Sequence, residues 1–138
     1  MPQGEHSSIQ IDLCEAINRV AKTQKIAKAF PKLRCTFDDK SIVPDIAVFR
    51  WERIPLSPSG RIANRFETHP DWSIEILSPE QNMTKALGKL LLCSRNGTEL
   101  GWLINTLSTF FHKLFNNRLK GKTTPSFIYN LFNQTAFS

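Results

Sequence analysis

No stretch of this 138-residue chain stays apolar for anything near the ~18 residues of a membrane-spanning helix. The longest candidate, "ALGKLLLC", is broken by a lysine. The start, "MPQGEHSSIQ", lacks the basic region and apolar stretch of a secretory signal, so a cytoplasmic location is expected. Cysteine is scarce: Cys14, Cys35 and Cys93 are widely spaced, with no C-x-x-C pair. That argues against a disulfide framework or a zinc site and leaves buried free thiols as the expectation. A G-x-S-x-G elbow, a P-loop, an H-E-x-x-H pair and a dinucleotide fingerprint are all missing, which sets aside the common hydrolase, nucleotide and zincin signatures. Acid is missing from one region entirely. Residues 100–138 hold no Asp or Glu but four bases, Lys113, Arg118, Lys120 and Lys122.

What is present suits one domain with a real core. The chain is 41% hydrophobic and 22% charged with a net charge of +6, compatible with a nucleic-acid partner without establishing one. From His6 to about Ala21, apolar residues at Ile9, Leu13, Ala16, Ile17 and Val20 follow helical spacing. "KIAKAF" and "LRCTF" suggest one broken strand or two short ones. A strand is expected from about Ile42 to Arg50, although Pro44 and Asp45 interrupt it. Residues 52–71 form a polar excursion whose "SPSG" signals a hairpin-like turn, and "WSIEILS" reads as a buried strand. Ser78, Pro79 and Gln81 form a capping-box pattern that predicts a helix start, with Gly97 as its stop. "LGWLI" follows as a further strand.

This order, helix, strands, helix, strand, predicts an α/β (α+β) domain over residues 1–105 with a central mixed sheet flanked by helices. Residues 106–138 form an atypical basic tail rich in Ser, Thr, Asn and Phe. Its residues Leu107, Phe110, Phe111, Leu114, Phe115 and Leu119 make a helix-like stripe. Such a segment suits a membrane surface, packing on the domain, or disorder.

Asp45 and Glu75 stand out as lone carboxylates inside apolar strands. On neighbouring strands they could emerge at one level, where mutual repulsion and burial call for a cation. Magnesium takes one or two carboxylates and fills its remaining positions with water and phosphate. The alternative is two unrelated polar positions. Lys85 and Lys89, four apart, share a helix face and could stabilise charge in phosphoryl chemistry, or simply be solvated. Arg50, Arg53, Arg61 and Arg65 flank the excursion as candidate phosphate contacts or ordinary surface charges. His6 reads as a cap or surface residue, with an accessory role as the alternative.

"PQGEHSSIQIDLCEAIN", "VPDIAVFRWERIP", "HPDWSIEILSPEQNMTK" and "GTELGWLI" together resemble the Uma-type restriction endonucleases of the PD-(D/E)XK nuclease superfamily. The resemblance spans roughly residues 3 to 104. It implies a restriction endonuclease-like core and metal-dependent hydrolysis of DNA, with one or two Mg2+ or Mn2+ ions. Asp45 corresponds to the superfamily's Pro-Asp aspartate and Glu75 to its second acid. Leu77 stands where the superfamily lysine would be, and Lys89 falls at the lysine of the following helix, with Lys85 close by. Two departures from the family lead to the expectation of a shortened or frameshifted relic: an N-terminal hairpin is missing, and the sequence diverges after about residue 105. Three classes stay open: a magnesium-dependent endonuclease, a catalytically inactive DNA-binding remnant, and an unrelated α/β interaction domain. DNA is the implied partner, and a homodimer is left open.

Overall fold

The computed structural model describes residues 4–79, 81–105 and 111–116. Helix α1 (Gly4–Ala21) buries His6, Gln10, Leu13, Cys14, Ile17 and Ala21, a stripe with steps of three and four residues. The apolar half of that stripe was legible in the sequence. Its polar continuation through Gln10 and His6 was not, and those two side chains lead to the site described below.

Five strands form the main sheet: β1 (Ala27–Pro31), β4 (Ile46–Arg50), β5 (Trp72–Leu77), β6 (Leu100–Asn105) and β7 (Phe111–Asn116), in the order β1-β4-β5-β6-β7. β5 and β6 run parallel and every other neighbour pair is antiparallel, so the sheet is mixed, as expected. The crossover from β5 to β6 is made by α2 (Met83–Arg95). Between β1 and β4 a two-stranded ribbon forms from β2 (Cys35–Phe37) and β3 (Lys40–Ile42).

Strand alternation sorts the core into two sides. Ile46, Val48, Trp72, Ile74, Ile76, Leu100, Trp102 and Ile104 pack with Leu13, Ile17 and Ala21 of α1. The intervening residues point the other way. Ala47 and Phe49 join Cys35, Ile54 and Phe66, while Leu77 and Leu103 join Ala86 and Leu90 of α2. Phe49 and Phe66 meet edge to face at 5.0 Å, as do Trp72 and Trp102 at 4.6 Å. At the β1 edge, Asn18 of α1 both donates to Ala29 O and accepts from Ala29 N, which fixes helix to strand. All three cysteines are buried free thiols, and burial pushes the Cys14 thiol up to about 11 and that of Cys35 to about 12.

Three expectations are corrected. The single strand from Ile42 to Arg50 is two strands, β3 and β4, with Pro44 and Asp45 between them. Proline brings no donor to a ladder, and the Asp45 N–H donates to the Glu75 side chain instead (3.2 Å). The helix start predicted at Ser78 lies further on: Asn82 is the N-cap and accepts from Thr84 N–H. Ser78 and Gln81 instead close a separate turn. Gln81 N–H donates to Ser78 O, and Ser78 N–H donates to Gln81 Oε1. The third correction concerns the tail. Residues 111–116 of the helix-like stripe are strand β7, because the open edge of β6 offers unpaired backbone groups that pairing satisfies. Residues 117–138 lie outside the described part. Within the excursion, Leu56 and Ile62 form an antiparallel bridge around the Ser57–Gly60 turn, the hairpin-like protrusion that was expected. No described helix is long and apolar enough to cross a membrane.

α2 ends where Gly97 takes φ +110°, and a Cβ there would meet His69 Nε2 at 3.0 Å. Gly97→Ala combines an unfavourable backbone with a crowded ring. We expect a loss of ~1–3 kcal/mol, read as a lower urea midpoint at unchanged m-value.

Candidate active site

Antiparallel pairing matches Ile46 with Ile74, so the next step outward sets Asp45 opposite Glu75. Both residues therefore stand at the end of the sheet where β4 begins and β5 finishes. They are buried, at 4% and 2% exposure. Proline supplies the local reason. The chain leaves the ladder at Pro44, which frees the Asp45 backbone and side chain to turn across β5. Asp45 Oδ2 accepts from Ile76 N–H at 2.8 Å, and Glu75 Oε2 accepts from Asp45 N–H. Each carboxylate is thus tied to the other's strand.

Cationic side chains face the remaining oxygens. Lys89 of α2 places Nζ 2.5 Å from Glu75 Oε1 and donates to Val43 O at 3.2 Å. Lys32, just past β1, places Nζ 2.9 Å from Asp45 Oδ1, while its N–H donates to Asp45 O. The two lysines differ in freedom: the Lys32 side chain is 47% exposed and the Lys89 side chain 30%. From α1, Gln10 donates to Asp45 O at 2.7 Å, and His6 sets Nε2 3.3 Å from Asp45 Oδ2. A carboxylate only accepts, so the Nε2 of His6 carries the proton.

The pair's electrostatics are unbalanced. Burial pushes the Glu75 carboxyl up to about 7, with repulsion from Asp45 adding to it and Lys89 pulling it back. Two carboxylates at one strand end supply oxygen donors only, which suits a hard divalent cation. Among the described residues no group of three His, Cys, Asp or Glu side chains is arranged to hold a metal ion by itself. Water and phosphate would complete the shell of such an ion.

The structure therefore brings Asp45, Glu75, Lys89 and His6 together. Lys85 lies one turn before Lys89, exposed, and bonds to neither carboxylate. His6 departs from the surface reading, since it is 1% exposed and set against Asp45. None of the four arginines forms an ion pair with Asp45 or Glu75. Arg50 pairs with Glu99 at 2.6 Å. Arg53 pairs with Asp71 and donates to Thr68 and His69. Arg50 ends β4, about 16 Å from Asp45 at ~3.3 Å per residue, and Arg53 follows in the turn beyond the strand. Both charges are paired within the fold. Arg61 and Arg65 are exposed on the excursion. Lys32 and Gln10 were missed. Gln10 was findable by extending the Leu13–Ile17–Ala21 stripe backward, whereas nothing in "FPKLR" marks Lys32.

Comparison with known proteins gives first the class and then the family. A crystal structure of a "putative nuclease belonging to DUF820" from Anabaena variabilis ATCC 29413 superposes with a TM-score of 0.83 at 43% sequence identity, covering 98% of this chain and 84% of that one. The architecture is thus that of a nuclease-type α+β fold. The family profile described as Uma2, "Putative restriction endonuclease", matches residues 1–122, a span that includes β7. The chain belongs to this Uma2 family. No curated protein matches it.

The raised Glu75 carboxyl has a consequence for metal-free protein. Between about 4.5, its ordinary value, and about 7, the folded state keeps a proton that the unfolded chain has lost. Stability therefore falls as pH rises through this window and levels off above it. Urea midpoints measured in EDTA from pH 4 to 8 should show this fall, and Glu75→Gln should flatten it.

Proposed function

We propose that this chain is a metal-dependent endonuclease that hydrolyses phosphodiester bonds in DNA. The observation that carries this reading is the buried Asp45–Glu75 pair, cross-tied between strands, with Lys89 held against Glu75. A bound divalent cation would supply a polarised phosphoryl oxygen and a more acidic water. The chain's own residues do the rest. Asp45 is oriented by Ile76 N–H and His6, so its carboxylate keeps one direction. Lys89, anchored on Val43 O, holds an ammonium where negative charge develops on the scissile phosphate. Because Leu77 sits on the α2 side of β5 and packs with Leu90, the lysine comes from the helix and not from the strand.

A plasmid-nicking assay with Mg2+ or Mn2+, against EDTA, tests this reading. Wild type is expected to cut only with metal. Asp45→Asn should abolish cutting while the circular dichroism spectrum stays native. Lys89→Met should slow it by ~10²-fold or more. No cutting of single- or double-stranded DNA under any of these conditions would sink the reading.

A second reading, an inactive DNA-binding domain, is favoured by one feature. Asp45 Oδ1 already has an ammonium on it, that of Lys32, which competes for the place of a metal. If the pair is exchangeable, Lys32→Met should tighten Mn2+ binding by a few-fold in calorimetry, the scale of a half-exposed ion pair of ~0.2–1 kcal/mol.

A further inference from the structure

An open groove of about 530 Å³ runs between β3 and α2. Its described lining carries four bases, Lys40, Lys85, Lys89 and Arg95, and no acid. Lys89 belongs to the groove and to the carboxylate pair at once, so the groove leads onto the site. Lys40, Lys85 and Arg95 are exposed, and none forms an ion pair with a described residue. They differ in this from Arg50 and Arg53, whose charges are neutralised by Glu99 and Asp71. Uncompensated bases on one concave surface attract a polyanion.

We infer that this groove holds the phosphate backbone of duplex DNA beside the bond to be cut, an inference that rests on the nuclease reading. Ten residues of α2 separate Lys85 from Arg95, about 15 Å at 1.5 Å per residue. That length matches roughly four base steps of one strand at ~3.4 Å each. The apolar part of the lining, Ile42 and Leu91 among it, is aliphatic. The described lining has no aromatic side chain to serve as a platform on which unpaired bases stack. Recognition is therefore by charge, independent of sequence, and favours a paired strand over a single one.

Binding of a fluorescent 20-base-pair duplex to the full chain, in EDTA over a range of salt, tests the groove without cleavage. Lys85→Gln/Arg95→Gln should lower the slope of log K against log salt by about two and weaken binding at least ~10-fold near 0.1 M salt. Lys40→Gln, from the other wall, should lower the slope by about one. Arg19→Gln/Lys22→Gln, exposed at the end of α1, changes net charge equally and should leave the slope nearly unchanged. Equal losses in both double variants, no loss in either, or tighter binding of a single-stranded 20-mer would overturn the inference. Wild type that binds with the predicted slopes yet never cuts with Mg2+ or Mn2+ would sink the nuclease reading and leave the groove standing.

Discussion

Asp45 is the point on which the rest of the site depends. Its side chain accepts from the backbone of β5, faces His6 of α1 and carries Lys32, while its own carbonyl accepts from Gln10 and from Lys32 N–H. Helix, sheet and the turn after β1 converge on one residue. A carboxylate taken out of water is costly unless donors surround it, and here each approach is filled by a donor or a cation. The same crowding fixes where the carboxylate points. Lys32, at φ 52°, takes a left-handed conformation uncommon for a side-chain-bearing residue, and it holds its N–H against Asp45.

The charged residues divide between the two ends of the sheet. At one end Asp45 and Glu75 are drawn together and paired with the partly exposed lysines Lys32 and Lys89. At the other, Arg50, Arg53, Asp71 and Glu99 form close ion pairs, and Asp71 also accepts Arg50 N–H at 2.7 Å. Thr98 adds a bond to Pro70 O there. The second end is closed by ion pairs, while the first keeps a buried Glu75 carboxyl that burial pushes up to about 7. A rigid scaffold with one electrostatically strained end is a common arrangement for a site that does chemistry.

How much was legible in the sequence varied with the reach of the interaction. The α1 stripe, the β5 run and the Gly97 stop depend on neighbours within a few residues, so periodicity and turn chemistry located them. Asp45 and Glu75 were visible as carboxylates among apolar residues, and their family resemblance followed from the surrounding motifs. The ion pairs of Arg50 and Arg53 were not legible, because their partners, Glu99 and Asp71, come from distant segments. The tail stripe failed for a related reason: β6 offers an edge, and pairing with it outweighs a helical pattern over residues 111–116.

By itself the sequence determined the two helices, the buried β5 run and the presence of two misfit carboxylates, since these rest on local periodicity and on which residue types tolerate burial. Only the tertiary structure decided that Lys32, Gln10 and His6 meet Asp45, that Lys89 and not Lys85 reaches Glu75, and which basic residues remain uncompensated. Those outcomes depend on strand register and helix phase. Such contacts join residues from 13 to 39 positions apart, beyond the reach of any local pattern.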